Sequence, residues 1–236
     1  MKLDFTNERL LAVVAHPDDA EILCAGTLAR AKEDRAAVAI CVLCRGDKGQ
    51  PDPPVDNLGE VRHREMKESA KILGAELLFG EFPDATLTDC PESRQTLLEL
   101  YRQFRPTLVL AHSAKDYHAD HRAASALAEA ASWFCASKGH SSASAPLDSP
   151  PALWWMDTVR MTEFQPEFYV DVSDHVDIKH RMLACHHSQI QRGTDGDFSP
   201  LDDLMKEQYT TRGAQAGVVA AEGFCVHRVW KRARAW

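Results

Sequence analysis

Residues 10–44 read LLAVVAHPDDAEILCAGTLARAKEDRAAVAICVLC, and the fold class turns on how they are parsed. LLAVVAH (10–16) is a short, uninterrupted apolar run, the pattern of a buried strand. AEILCAGTLARAKEDR (20–35) spaces its apolar residues as a helix does, and AVAICVLC (37–44) is a second strand-like run. The alternation continues downstream. LGEVRHREMKESAKILG (58–74) predicts an amphipathic helix closed by Gly74, AELLFG (75–80) a strand, and 92–106 a helix stopped before Pro106. TLVLAH (107–112) is a fourth strand and 119–134 another helix. Strands alternating with helices through short links imply an α/β fold with a mainly parallel sheet and helices on both faces.

Residues 137–151, SKGHSSASAPLDSPP, are small, polar and proline-rich and read as a flexible surface loop. Beyond it the pattern loosens. ALWWMDTVRM, EFYVDV and VAAEGFCVHRVW read as strands, and HVDIKHRMLACHHSQ and PLDDLMKEQYTTRGAQAG as helices. There is no internal repeat, and residues 1–236 read as a single domain in which the part from about 151 extends the rest.

The bulk properties exclude several classes. The net charge is −8 over 236 residues, and the Lys and Arg are scattered, which argues against a nucleic-acid footprint or a polybasic membrane anchor. Asp4, Glu8 and Arg9 interrupt the start of the chain, so no signal peptide is expected. No run is long enough to cross a membrane, and the expected location is cytoplasmic. The seven cysteines are widely spread. Cys41 and Cys44 form a C-x-x-C, but inside a strand and without a second pair, so buried reduced thiols are expected rather than a zinc knuckle.

The chemistry collects at two turns. In an open parallel sheet ligands bind beyond the carboxyl ends of the strands, where AHPDDAE (15–21) and DYHADHR (116–122) both fall. His16 and Asp19 stand three apart in a tight turn and can converge on one divalent ion. A cation there also offsets the repulsion between Asp18 and Asp19, leaving one aspartate free to move protons. The same acids also suit a helix start, with Asp18 or Asp19 as cap and Glu21 favoured by the dipole. His118 and His121, again three apart, lie on one side of a starting helix, with Asp120 between them able to fix a tautomer. A solvated loop is the alternative for that stretch. Together, His16, Asp19 and one of His118 or His121 make three protein ligands with an open position, the arrangement of a catalytic zinc.

AHPDDAE followed far downstream by HADH resembles the PIG-L/LmbE-like family of zinc-dependent N-acetylglucosaminyl deacetylases. The glycine loop CRGDKG, the R-x-x-E of VRHRE, FPDATL, HHSQ and AEGF resemble further family elements, so the likeness runs from about residue 10 to about 228. The resemblance implies a Rossmann-like three-layer fold and hydrolysis of the acetamide of a small N-acetylated amino sugar. By position it implies His16, Asp19 and His121 as zinc ligands, with iron(II) suited to the same donors. Asp18 becomes the general base and His118 the oxyanion stabiliser that helps protonate the amine. Asp120 becomes the residue that orients and charge-tunes His118, and Arg62 a lining of the substrate pocket. His112 fits a place behind the ligands, and His186 and His187 either a place near the site or a helix C-terminus. Trp154 and Trp155 fit the core better than a sugar platform. The RGDKG turn is a weak anion-nest signal. Loops 45–57 and 137–151 are expected to shape the pocket. A homo-oligomer is compatible with the sequence. A related amidase for a larger N-acyl group or a thiol conjugate would share every residue named. A dinucleotide-dependent oxidoreductase lacks its G-x-G-x-x-G, and a non-catalytic sugar-binding module has no need of Asp18 or of the His118/Asp120 pair.

Overall fold

The computed structural model describes residues 3–190 and 200–228. Strand β1 (Arg9–Val14) lies at the centre of a seven-stranded sheet. On one side it pairs in parallel with β2 (Ala37–Cys44), which pairs with β3 (Glu76–Phe82). On the other side β4 (Leu108–Ala111) and β5 (Ala152–Met156) follow, also parallel. The order β3-β2-β1-β4-β5-β7-β6 ends with β7 (Ala221–Val226) antiparallel to β5, and β6 (Phe168–Asp171) antiparallel to β7 at the edge. The mainly parallel sheet expected from the alternation is present, with an antiparallel pair added by the last third of the chain.

The apolar run of β1 is continuous because both its faces are covered. Leu10, Ala12 and Val14 pack against α1 (Asp19–Leu23), α2 (Ala25–Glu33), α3 (Leu58–Leu73), α6 (Val176–Leu183) and α8 (Leu201–Ala216). Leu11, Val13 and Ala15 pack against α4 (Pro91–Phe104) and α5 (Ala119–Phe134). The result is three layers with a core on each side of the sheet. Among the described residues no helix is long and apolar enough to cross a membrane.

Two sequence expectations need correction. The single helix expected over 20–35 is broken at Cys24, whose φ of −150° is not helical. The break is held by ions. The buried Lys179 ammonium donates to the carbonyls of Glu21 (3.0 Å) and Ile22 (3.1 Å) at the end of α1. The buried Glu222 carboxylate accepts from the amides of Gly26 (2.9 Å) and Thr27 (2.7 Å) and from Thr27 Oγ1 (2.6 Å) at the start of α2. Lys179 and Glu222 also pair with each other. Each helix end therefore meets the charge that its orphan groups favour.

The second correction concerns residues 137–151. They are not a free loop, because the buried Arg102 guanidinium donates to the carbonyls of Cys135 (3.1 Å), Ser137 (2.7 Å) and His140 (2.9 Å). Glu99 accepts from the Ser144 amide at 3.2 Å. The anchors come from α4, so local composition could not disclose them. The loop leads into the amino end of β5, at the opposite pole of the sheet from the carboxyl ends.

Removing Glu222 leaves a buried ammonium without its counter-charge. Glu222→Ala is expected to lower unfolding free energy by about 3–5 kcal/mol, read from urea denaturation against the unaltered protein. A loss under about 1 kcal/mol, the scale of an exposed pair, would refute the clamp.

Candidate metal and active site

Strand order reverses beside β1, where β2 and β4 depart to opposite sides, and this switch point opens a crevice at the strands' carboxyl ends. A cavity of about 560 Å³ lies there. Its floor comes from the two turns singled out in the sequence: His16, Asp18 and Asp19 after β1, and Tyr117, His118 and His121 at the start of α5.

The first turn keeps its carboxylates apart by backbone conformation. Asp18 has φ 103°, a left-handed value uncommon outside glycine. Arg62, buried on α3, holds it there. One guanidinium nitrogen, Nη2, donates to Asp18 Oδ2 at 2.8 Å and to the Pro17 carbonyl, while Nη1 reaches the Gly46 carbonyl at 3.3 Å. Gly46 has φ +73°, and a Cβ there would stand 2.5 Å from Arg62 Nη1, so glycine is required on both counts. The RGDKG turn does present amides to an anion, but the anion is internal. Asp84, from FPDATL, accepts from Gly46 N (2.7 Å) and Lys48 N (3.1 Å).

Asp19 points the other way, among imidazoles. It does not cap α1. Its Oδ2 accepts the His16 amide at 2.7 Å. His121 Nε2 lies 3.3 Å from Oδ1, and His112 Nε2 and His16 Nδ1 lie 3.3 and 3.6 Å from Oδ2. These spacings exceed those of tight charge-assisted hydrogen bonds. Ring nitrogens of His16, His118 and His121 also converge within 4.8 Å of one another, as do the donors of Asp19, His112 and His121. Several imidazoles around one carboxylate, a little too far for direct bonding, are what a divalent cation draws together, so the donor set fits a metal. His121 Nδ1 faces the buried Asp116 at 3.1 Å, leaving Nε2 for an ion, in the carboxylate–histidine–metal order. His112 is entirely buried, its Nε2 already taken by the Ala15 amide at 3.0 Å, and it stacks on His121 with centroids 4.0 Å apart. It stands behind the donors, where the sequence put it.

The charges follow from these contacts. Burial pushes Asp18 up, and Arg62 only partly offsets it. Burial would also raise Asp19, but the His121 and His112 imidazoles outweigh it and hold that carboxyl well below the usual range. For His118, burial and then the neighbouring His121 and His16 lower the pKa.

The structure gives two acids partners that their local sequence does not disclose. Asp120 does orient His118, but through its backbone: the Asp120 amide donates to His118 Nδ1 at 3.2 Å, because His118 is the N-cap of α5. The Asp120 carboxylate goes instead to His16 Nε2 (3.1 Å) and accepts the Ala85 amide (2.8 Å). Glu21 stands in the first turn of α1, as a helix-start acid does, but its charge is met inside the protein. It is fully buried, 3.2 Å from His186 Nε2 and bonded to Ser69 Oγ. Burial opposes both charges of that pair, but the pairing holds Glu21 below and His186 above their ordinary values. His187 is exposed, and Trp154 packs in the core against Phe5, Phe168 and Phe224.

Arg62 lines the cavity. Glu65 of the same R-x-x-E instead fixes the HHSQ segment, accepting from Ser188 N (2.8 Å) and Oγ (2.6 Å). Of the two loops expected at the pocket, 45–57 contributes Lys48 and Gly49, and 137–151 contributes nothing. The rest of the lining includes Val159, Arg160, Leu201 and Leu204, none of which carries a local signal, and Gln189 of HHSQ. Asp116 was legible in DYHADHR only as one more polar residue.

With this geometry in place, the comparisons with known proteins agree on one group. The family model described as PIG-L, GlcNAc-PI de-N-acetylase, matches residues 11–132. Diacetylchitobiose deacetylase of Thermococcus kodakarensis is 31% identical over 205 residues, covering 80% of this chain and 75% of that protein. The 4-oxalmesaconate hydratase of Pseudomonas putida is 25% identical over 219 residues, covering 89% and 80%. The crystal structure of a conserved protein from Thermus thermophilus superposes with a TM-score of 0.79 at 32% identity, covering 97% and 100%.

The protonation of the site predicts how a cation enters it. Burial pulls His16 and His121 down, but Asp120 and Asp19 raise the first to about 9, and Asp19 and Asp116 raise the second to about 10. A cation binds neutral imidazole, so affinity should rise with pH up to those values. Uptake at pH 7 should release about two protons, counted by calorimetry in buffers of unlike ionisation enthalpy. No release would place the ion elsewhere. Both folded values lie above the ordinary 6.5, so their contribution to stability is full below 6.5 and lost as pH rises through about 9–10. The Tm of the metal-free protein should fall across that window.

Proposed function

Since this chain belongs to the PIG-L family of de-N-acetylases, we propose that it hydrolyses the acetamide of a small N-acetylglucosamine-type sugar or conjugate, with Zn²⁺ held by His16, Asp19 and His121. The chain is an enzyme of the N-deacetylase class, and the reading concerns its metal, its residues and its substrate. The observation that carries it is the separation of two adjacent carboxylates, Asp19 among imidazoles and Asp18 on Arg62. All seven cysteines are unbridged, which supports a cytoplasmic setting.

When bound, the cation supplies Lewis acidity, polarising the acyl carbonyl and making water acidic enough to attack near neutral pH. The protein does the rest. Arg62 engages Asp18 Oδ2, and among the described residues no other side chain bonds this carboxylate. Asp18, pushed up by burial, takes the proton of the attacking water as its oxygen bonds to the acyl carbon. His118 accepts at Nδ1 and so carries its proton on Nε2, the nitrogen left for the cavity. That N–H stabilises the developing oxyanion, and the proton that Asp18 took from the water passes to the departing nitrogen as the C–N bond breaks. Asp120 holds the His16 ring through Nε2, leaving Nδ1 on the Asp19 side.

A larger N-acyl group or a thiol conjugate of glucosamine would use the same residues. The likeness to 4-oxalmesaconate hydratase favours a second reading, addition of the same activated water to a carbon–carbon double bond. Assay of N-acetylglucosamine derivatives for free amine, with and without chelator, separates the two. Chelator-sensitive amine and acetate release is expected, and its absence across the panel would refute deacetylation.

Asp18→Asn should keep its metal and lose about 10²–10⁴ in rate, whereas His121→Ala should lose the metal as well. Turnover by Asp18→Asn at the unaltered rate would remove Asp18 as base. Gly46→Ala should reproduce the defect of Arg62→Ala, since a Cβ at 46 displaces the guanidinium. Full activity in Gly46→Ala would show that the Arg62–Asp18 contact is dispensable.

A further inference from the structure

Metal-binding side chains meet at a second place, on the Nε2 side of the His16 ring. His16, Cys44 and Asp120 each present a ligand atom within 4.8 Å of the other two. His16 Nε2 and Asp120 Oδ2 are already 3.1 Å apart. Cys44 ends β2, and its amide donates to the Ala15 carbonyl at 2.7 Å, so backbone pairing fixes the thiol beside the turn. The residue is 1% exposed, yet it lines a separate cavity of about 510 Å³ whose wall includes Arg45, Asp47, His63 and Glu81.

The donor types are the argument. A buried thiol that only fills space gains nothing from an imidazole and a carboxylate beside it. A thiolate, an imidazole and a carboxylate together form the mixed set that borderline divalent ions take. Burial, with Asp120 and Asp84 nearby, pushes the Cys44 thiol well up, so it stays protonated and inert when no cation is near. The Asp120 carboxylate is held in place by the Ala85 amide.

We propose that His16 Nε2, Cys44 Sγ and an Asp120 carboxylate oxygen form a second, weaker site for Zn²⁺ or a similar ion, distinct from the position between Asp19 and His121. Two protons leave to solvent on binding: the thiol proton, and the Nε2 proton that His16 shares with Asp120, so that His16, already a ligand of the first ion through Nδ1, becomes an imidazolate. No other bond changes and no electron is transferred. The site is the weaker one because an ion must strip a buried thiol and break an existing hydrogen bond. Its occupancy takes the contact that orients His16, so metal in excess of one equivalent inhibits. The site itself stands on donor geometry, and only the inhibition rests on the function proposed above.

Cobalt(II) titrated into the metal-free protein tests the site directly. The Asp19 position offers only nitrogen and oxygen, so the first equivalent should give no thiolate-to-cobalt charge-transfer absorption. Later equivalents should produce that near-ultraviolet band, and Cys44→Ser and Cys44→Ala should both lack it. No band in the unaltered protein at large excess, or a band that persists in both variants, would overturn the site. Absence of the band in the unaltered protein decides against the site whether or not a variant folds, and either variant that folds is enough to assign a band to Cys44 among the seven thiols. In the amine-release assay, excess Zn²⁺ should cost the unaltered enzyme about 10–100-fold and leave Cys44→Ser near its one-equivalent rate. Equal inhibition of both would overturn the inhibitory role. A protein that releases no amine at all fails the proposed function, while the cobalt band still decides the site.

Discussion

Two ionised carboxylates cannot stand side by side on a buried turn unless each has its own positive partner. That requirement at Asp18 and Asp19 organises the rest of the molecule. The left-handed conformation of Asp18 turns the two side chains to opposite sides. On one side waits Arg62, supplied by α3 and admitted only because position 46 has no Cβ. On the other side wait the imidazoles of His16 and His121, supplied by the turn after β1 and by α5. Burial raises the cost of leaving either charge alone, so the same burial that makes the site reactive also makes its geometry obligatory.

The positive partners must themselves be held, and this is the work of a second tier of acids. Asp116 faces His121, Asp120 faces His16, and Asp84 fastens the loop that carries Gly46. Behind α1, Glu21 pairs with His186, and Lys179 closes the helix end while bonding Glu222. The last two pairs reach across the chain, tying residues 179–222 to residues 21–27. The break at Cys24 is thus a junction rather than a defect: it frees two helix ends inside the protein, and both are met by side chains from the last third of the chain.

The parts of this design legible in the sequence were those encoded locally. Apolar runs gave the five parallel strands, because a strand buried on both faces needs no alternation. Histidine and aspartate at three-residue spacing gave the two turns, because a turn brings such neighbours together whatever surrounds it. The partners were hidden. Nothing near Asp120 says that its carboxylate crosses to His16, 104 residues away. Glu21 looked like an ordinary helix-start acid because its partner, His186, lies far along the chain. Arg102 made a firm loop of a stretch whose composition reads as mobile. In each case a long-range contact of a charged side chain overrode a sound local reading.

The same distinction bears on what the enzyme accepts. The family model matches residues 11–132, the span that carries every side chain assigned here to metal, base and oxyanion. The facing wall of the cavity, Val159, Arg160, Gln189, Leu201 and Leu204, lies wholly beyond it. Activating a water and stabilising negative charge on oxygen serve an amide and a conjugated double bond alike, so that machinery alone does not separate a deacetylase relative from a hydratase relative. Discrimination belongs to groups that touch the substrate away from the reacting atoms. Away from the two turns, the cavity is lined from the loop after β5, from the HHSQ segment held by Glu65, and from the first turn of α8. The wall that faces the two turns is therefore carried by the part of the chain that lies beyond the family model's match.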